Sequence, residues 1–222
     1  MSSEDKKQEK KIIYSPLRLV GILTLIAFCT LLIIVATFTR IKLINCLQLI
    51  EALMHPEFFP DANSVFQLKA YFYVPQVPIV LFTAVLLGTV CSLTSVFLYI
   101  VIGLAILPIF GLGGGFDYAL NQSFGYILAF IPAVIIMTGF LDKEKSFKSL
   151  FFATIYSVLT IHFLGFIYML LVSLIKHEDF SYVADWLLFE SLIKIIYDII
   201  IGYIAVIIAK FCRKFIWILT TP

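Results

Sequence analysis

Long apolar runs alternate with polar connections along this chain. Runs of about 18 or more apolar residues with few charges are long enough to cross a membrane as helices. One apolar stretch, 77–110, is too long for a single helix across a ~30 Å hydrocarbon core, and Gly88 and Thr89 offer a break within it. The pattern predicts an all-α protein with six transmembrane helices, at 17–38, 76–88, 90–109, 123–141, 149–175 and 187–209.

The composition is that of an integral membrane protein. Hydrophobic residues make up 62% of the chain and charged residues 14%, about half the ~25% charged share of a soluble domain. The nucleotide-binding GxxxxGK[ST], zinc-protease HExxH and hydrolase GxSxG motifs do not occur in the sequence, and its cysteines form no CxxC pair. We therefore expect a multi-pass protein of the cell (inner or plasma) membrane that is not an enzyme and uses neither a metal nor a cofactor.

The placement of lysine and arginine predicts the orientation. Basic residues concentrate near the N-terminus, in the connection 142–148 and after residue 209, and cytoplasmic loops carry an excess of such residues. We therefore expect cytoplasmic tails at 1–16 and 210–222 on either side of a membrane domain at 17–209. Four basic residues break this rule: Arg40, Lys42, Lys69 and Lys176. The small net charge of +2 gives no indication of nucleic-acid binding.

In this orientation the three longer polar connections, 39–75, 111–122 and 176–186, share the outer face, so recognition is expected there. The middle connection lies in the stretch GLGGGFDYALNQSFGY. Its glycines, Gly113, Gly114 and Gly115, allow positive φ and close approach of a ligand, although a tight turn also uses glycine. If a ligand approaches here, adding a side chain at Gly114 or Gly115 should weaken binding more than stability.

Polar and aromatic side chains follow these glycines closely. Aromatic walls with a few amide and hydroxyl groups suit a small ligand that has an apolar body and a polar edge. The residues concerned are Phe116, Tyr118, Asn121, Gln122, Ser123 and Tyr126.

Span six carries Glu190, Lys194 and Asp198 at i, i+4 and i+8, which places them on one helix face. Each charge costs about 2.5–3.5 kcal/mol at a helix centre on insertion scales. This face is therefore expected to look into the bundle or to line a wet cavity, with Lys194 held by Glu190 or Asp198 when the cavity is empty. A purely structural ion ladder is the alternative.

Three segments together resemble the BioY family: YVPQVPIVLFTAVLLG, LYIVIGLAILPIFGLGGG and FGYILAFIPA. BioY proteins are the biotin-specific substrate-binding (S) components of energy-coupling factor (ECF) transporters. The resemblance implies six membrane helices, capture of biotin from outside, and assembly with a transmembrane coupling protein and two ATPase subunits. An ATPase on another chain would account for the missing P-loop.

The resemblance also implies roles for individual residues. The Gly113–Gly115 loop would approach the ureido edge of biotin, Tyr118 and Tyr126 would form the aromatic wall, and Asn121 would supply a hydrogen bond. The run ESLIK fits the family's Asp and Lys contacts in two registers, one with Ser191 and Lys194, the other with Lys194 and Tyr197, followed by Asp198. Lys194 would supply a cation, and the 39–75 connection would act as a lid.

Two other functions stay open on the sequence alone. One is uptake of a different vitamin by an S component or small transporter. The other is an intramembrane hydrolase that uses His162, in the middle of span five, with a nearby acid. A histidine within a membrane span marks a functional site by default, but a single hydrogen bond to a neighbouring helix would also satisfy it.

Overall fold

The computed structural model describes residues 16–44, 54, 70–143 and 146–220. In chain order the elements are α1 (Pro16–Phe38), β1 (Ile41–Ile44), β2 (Ala70–Tyr73), α2 (Gln76–Leu87), α3 (Thr89–Ala105), a 3₁₀ helix (Phe116–Leu120), α4 (Phe124–Leu128), α5 (Phe130–Lys143), α6 (Phe147–Lys176), α7 (Phe180–Trp186), a π-helix (Leu187–Leu192) and α8 (Ile193–Thr220).

The apolar helices follow the predicted spans. Within the described part of the chain, four helical stretches are long and apolar enough to cross a membrane: Leu19–Phe38, Phe124–Leu141, Phe147–Lys176 and Phe180–Phe215. Helices α2 and α3 are apolar but shorter. The class of all-α integral membrane protein is confirmed, whereas the number of crossings and the side of each terminus stay predictions. Helix α8 continues to Thr220, past the predicted end of span six at 209.

The predicted break between spans two and three is confirmed at Gly88. Helix α2 ends at Leu87 and α3 begins at Thr89, with Gly88 between them at φ 77°. Glycine adopts this left-handed conformation at little cost. Arg213 of α8 donates from Nη1 to the Val85 carbonyl oxygen at 3.1 Å, so it satisfies a carbonyl group in the last turn of α2.

Helix α2 lies at the centre of the bundle, where α1, α3, α5 and α8 pack against it. A helix that is apolar all round is typically buried, and this is the case here: Val77, Pro78, Val80, Leu81, Thr83, Ala84, Val85 and Leu86 are buried. The outer helices instead expose large apolar side chains on the surface that a bilayer would cover, among them Leu23, Leu31, Phe163 and Ile204.

A two-stranded hairpin was not expected from the sequence. Strands β1 and β2 pair antiparallel, with Ile41 opposite Tyr73 and Ile44 opposite Ala70. They form the two ends of the predicted 39–75 connection, of which 45–53 and 55–69 lie outside the described residues. The hairpin brings residues near 40 and 72 to the end of the bundle where α2 begins.

Candidate substrate pocket

A cavity of about 280 Å³ opens at the end of the bundle near the hairpin. Its volume is at the lower limit of the ~300–1,000 Å³ that small-molecule sites occupy. The lining combines charged, amide, hydroxyl, aromatic and aliphatic groups: Thr37, Arg40, Phe72, Val74, Gln76, Gly111, Leu112, Tyr118, Ser123, Tyr126, Ile127, Trp186, Glu190 and Lys194. This mixture suits a ligand with an apolar body and polar ends.

All three longer polar connections contribute to this cavity. Arg40 and Phe72 come from the hairpin, Leu112 from the glycine-rich loop, and Trp186 from the end of α7. The expectation that these connections share one side of the bundle is therefore confirmed. Whether that side is the outer face stays a prediction.

Two cations and one anion line the cavity. Among the described residues, Arg40 and Lys194 carry the positive charges of the lining and Glu190 the negative charge, so a ligand with a carboxylate would find more positive than negative charge from them. Among the residues that the structure describes, no carboxylate forms an ion pair with Lys194. The expectation that Glu190 or Asp198 holds Lys194 in the empty pocket is therefore wrong.

The side-chain amide of Gln76 is fixed by a hydroxyl network behind it. Gln76 Nε2 donates to Tyr99 Oη at 2.8 Å and to Thr37 Oγ1 at 3.0 Å. The Thr37 hydroxyl donates to the Ile33 carbonyl oxygen at 2.9 Å, so its oxygen can only accept from the other two groups. Both amide hydrogens of Gln76 are therefore engaged in hydrogen bonds. Its Oε1, which has no hydrogen-bond partner among the described residues, is left as an acceptor beside the cavity.

Tyr118 presents an oxygen acceptor for a related reason. Ser123 Oγ donates to Asn121 Oδ1 at 2.7 Å, and the Tyr118 hydroxyl lies 2.8 Å from Ser123 Oγ. Because the Ser123 hydrogen is already used, Tyr118 donates to Ser123, and its oxygen acts as an acceptor. Burial raises the pKa of the Tyr118 hydroxyl, while its bond with Ser123 works in the opposite direction. Asn121 does not line the cavity in this structure; it orients Ser123 from behind.

The ring of Tyr126 lines the cavity and packs against Gly165. An added Cβ at Gly165 of α6 would lie 2.4 Å from Tyr126 Cδ1, so the absence of a side chain at Gly165 makes room for the ring. The Tyr126 hydroxyl bonds with Ser191 Oγ at 2.7 Å. A reciprocal arrangement lies alongside, because an added Cβ at Gly125 of α4 would lie 2.2 Å from Tyr168 Cβ of α6.

The three consecutive glycines, Gly113, Gly114 and Gly115, pack against the end of α3 and do not line the cavity. Gly115 N donates to the Gly103 carbonyl oxygen at 2.9 Å. An added Cβ at Gly114 would lie 2.5 Å from Pro108 Cα and 2.7 Å from Gly103 O. Gly113 and Gly115 have φ values of 129° and 87°. The loop therefore needs glycine for its own backbone, which favours the turn over the ligand-approach alternative.

Asp198 is fully buried behind the cavity. Tyr73 donates to its Oδ1 at 2.6 Å, and His162 Nε2 lies 2.9 Å from its Oδ2. Burial, followed by the Asp198 charge and hydrogen bond, raises the pKa of the Tyr73 hydroxyl well above its ordinary value, so Tyr73 stays a donor. Tyr197 stacks on Tyr71 at 5.7 Å between ring centroids. Two of the predicted contacts of span six, Tyr197 and Asp198, thus hold the hairpin in this structure and do not line the cavity.

His162 has an acid beside it, as the hydrolase hypothesis requires. The second ring nitrogen, Nδ1, is buried and has no hydrogen-bond partner among the described residues. No described hydroxyl group is therefore positioned on that nitrogen as a nucleophile would be in a Ser–His–Asp arrangement. The pair accounts for the histidine as a structural link between α6 and α8.

Of the predicted site residues, the structure brings Tyr118, Tyr126 and Lys194 together around the cavity. Sequence reasoning missed Arg40, Gln76 and Trp186. The sequence did give a signal for Arg40, because this residue is basic although it lies in a connection that the distribution of lysine and arginine predicts to be outside. Gln76 was hidden inside an apolar segment.

The fold and the pocket define the class: a helical integral membrane protein with a ligand-sized cavity at one end of its bundle. A sequence model of the BioY family matches residues 66–216. This chain belongs to the BioY family.

Two known proteins are similar to it. One is a "Probable biotin transporter BioY" from Lysinibacillus sphaericus, 30% identical over 139 residues, which are 62% of this chain and 65% of that protein. The chain thus matches slightly less than two thirds of that relative's length. The other is the crystal structure of the S component for biotin from an ECF-type ABC transporter, with a TM-score of 0.65 and 21% identity over 90% of this chain and 94% of that one. The latter similarity supports the fold.

Proposed function

We propose that this chain is the substrate-binding S component of a biotin uptake system and binds biotin in the cavity described above. Biotin combines a carboxylate, an apolar fused ring system and a ureido group that both donates and accepts hydrogen bonds. The observation that carries the proposal is the lining itself. Arg40 and Lys194 suit the carboxylate, while Gln76 Oε1 and the Tyr118 oxygen suit ureido N–H groups.

The hairpin is the proposed lid. Phe72 and Val74 line the cavity, while Tyr73 between them is anchored to Asp198. Opening the cavity would release the hairpin from α8, and a bound ligand would stabilise the closed arrangement through its own contacts with Arg40 and Phe72. Tyr197 and Asp198 then act on binding through the hairpin.

The chain would deliver biotin inward without catalysing a reaction itself. The sequence contains no P-loop, so energy would come from a separate coupling protein and two ATPase subunits. Capture from outside rests on the charge distribution described above.

Calorimetry on the purified protein in detergent tests the binding step, with biotin, thiamine, riboflavin and pantothenate as ligands. Biotin alone should bind. Binding of another vitamin, with biotin inert, would assign the chain to a different substrate.

A further inference from the structure

Tyr99 lies behind the wall of the cavity, out of reach of a ligand. It belongs to α3, its side chain is fully buried, and it does not line the cavity. Its ring and that of Phe110 pack edge to face, with 5.4 Å between the centroids and 72° between the planes. Because Phe110 is fully buried as well, the Tyr99 hydroxyl is held at a fixed place in the core.

That hydroxyl meets two polar groups, and the direction of each hydrogen bond follows from its surroundings. The Thr37 hydroxyl donates to the Ile33 carbonyl oxygen at 2.9 Å, so Thr37 Oγ1 accepts from Tyr99 at 3.1 Å. The Tyr99 oxygen in turn accepts from Gln76 Nε2 at 2.8 Å. Each hydrogen atom on these three polar groups therefore has an acceptor.

The hydroxyl pair of Tyr99 and Thr37 distinguishes the two orientations of the Gln76 amide. Nε2 now faces Thr37 Oγ1 at 3.0 Å and donates to it. If the amide turned over, an oxygen would take the place of Nε2, and it would face Thr37 Oγ1 without a hydrogen between them unless Thr37 gave up its bond to Ile33. The pair thus favours the observed orientation, with Nε2 inward and Oε1 outward.

The outward oxygen of Gln76 is open to the cavity. Gln76 is half-buried and lines the cavity. Its Oε1 has no hydrogen-bond partner within the described chain, and it is not enclosed by protein as the unpartnered ring nitrogens of Trp186 and His162 are. An accessible acceptor of this kind is available to an N–H group of a ligand.

We infer that Tyr99 is a positioning residue for substrate selection: its hydroxyl holds the Gln76 amide so that the pocket presents an acceptor, and not a donor, to the ligand. This inference rests on the proposed function, in which Gln76 Oε1 meets a ureido N–H of biotin. Tyr99 itself does not touch the ligand. Without its hydroxyl, the amide loses one of its two inner acceptors and can turn its NH₂ group toward the cavity.

The test compares biotin with its two cyclic carbamate analogues. In each analogue one of the two ureido N–H groups is replaced by oxygen, while the carbonyl group, the other N–H and the carboxylate are kept. The protein variant is Tyr99→Phe, which removes only the hydroxyl. Tyr203→Phe is the control, because the Tyr203 hydroxyl is bonded to the Phe147 carbonyl oxygen, away from the cavity. Binding is measured by calorimetry, and folding by gel filtration and thermal unfolding.

The parent should bind biotin roughly tenfold more tightly than one of the carbamates, since the ring oxygen would face Gln76 Oε1 without a hydrogen between them. Tyr99→Phe should weaken biotin but that carbamate much less, so the preference for biotin should shrink. Tyr203→Phe should keep the preference of the parent. If Tyr99 only supports the bundle, its loss would weaken all three ligands by the same factor, and that result would overturn the inference.

Thr37 gives a second test that does not depend on the folding of Tyr99→Phe. Thr37→Val removes the other inner acceptor and should also reduce the preference, whereas Thr37→Ser keeps the hydroxyl and should preserve it. In Gln76→Leu, which has no amide to orient, adding Tyr99→Phe should not change the preference further. The same preference in Thr37→Val and Thr37→Ser would overturn the inference.

The parent protein separates this inference from the proposed function. Equal affinities of the parent for biotin and both carbamates would overturn the role of the Gln76 acceptor, and of Tyr99 with it, while biotin binding stood. A parent protein that binds no biotin would instead refute the proposed function.

Discussion

The Tyr73 hydroxyl donates to Asp198 Oδ1 at 2.6 Å, joining two residues that lie 125 positions apart in the sequence. Tyr73 ends the second strand of the hairpin, and Asp198 lies in α8, where His162 of α6 contacts its other oxygen. One buried carboxylate therefore ties the hairpin to two helices. Removing either donor would leave that carboxylate with less compensation in a low-dielectric interior.

Tyr73→Phe should destabilise the protein by about 1.5–3 kcal/mol, the range for a hydrogen bond to a charged group. Thermal unfolding in detergent measures the loss as a lower midpoint. Tyr203→Phe is the matched control, because the Tyr203 hydroxyl makes only a long exposed bond of 3.3 Å to the Phe147 carbonyl oxygen. If both variants unfold with the parent, the bond to Asp198 does not hold the hairpin.

The sequence could predict the helices and the shared end of the bundle, but not this bond. Apolar runs and Gly88 act locally, so their effects can be read from neighbouring positions. The pairing of Tyr73 with Asp198 and of Ile41 with Tyr73 depends on how distant segments fold back. Four-residue strands carry little periodicity of their own.

The candidate site divides in the same way. Tyr118, Tyr126 and Lys194 could be named because polar groups stand out against apolar neighbours. The glycines could be located, but their reason could not, since the atoms that exclude a side chain at Gly114 belong to Pro108 and Gly103. The π-helix was not predicted from the sequence either. The i, i+4 spacing of Glu190 and Lys194 was interpreted as that of a regular α-helix, whereas Leu187–Leu192 forms a π-helix.

Lys194→Ala should weaken biotin about tenfold to a hundredfold, the equivalent of a charge-assisted hydrogen bond of ~1.5–3 kcal/mol. A neutral biotin amide should lose much less, because it carries no charge for the lysine to meet. Lys194→Arg should be intermediate, since the guanidinium is longer and planar. Calorimetry with both ligands measures the difference.

Two further variants test whether the effect is specific to Lys194. Lys176→Ala, at the exposed end of α6, should leave both affinities unchanged. Arg40→Ala shows whether the second cation of the pocket shares the carboxylate. Equal losses of acid and amide in Lys194→Ala would mean that Lys194 supports the bundle and does not meet the ligand.

Gly114→Ala should destabilise the protein by more than about 1 kcal/mol, because its Cβ would lie 2.5 Å from backbone Pro108 Cα and the loop must shift to admit it. Gly139→Ala is the control. It lies exposed in α5 with no atom within 4 Å of an added Cβ, and alanine in a helix should stabilise it slightly. Thermal unfolding measures the midpoints of both variants. Equal shifts of the two midpoints would contradict the packing role of Gly114.

Gly165→Ala should weaken biotin binding, because the added methyl group would displace the Tyr126 ring that lines the cavity. Gly125→Ala is a matched perturbation, since it displaces Tyr168, which does not line the cavity. Both variants should lose stability, but only Gly165→Ala should lose affinity at a temperature where each is folded. Similar affinities would remove Tyr126 from the binding site.

The orientation can be tested with single cysteines in a chain whose own cysteines are replaced by serine. A cysteine at exposed Glu178, near the pocket end of α6, should react with an impermeant thiol reagent on intact cells. A cysteine at exposed Lys148, near the opposite end of the same helix, should react only after permeabilisation. The reverse pattern would place the pocket on the cytoplasmic side.

The contact of Arg213 with Val85 has a consequence for how the protein is made. The carbonyl group at the end of α2 and the hydroxyl of Tyr73 before it both find their partners in α8, which is synthesised after α2. Within a bilayer no water replaces such partners. The residues that satisfy these groups are therefore synthesised well after the central helix, and both contacts can form only once α8 is in place. A chain that stopped before residue 193 would leave both groups without these partners.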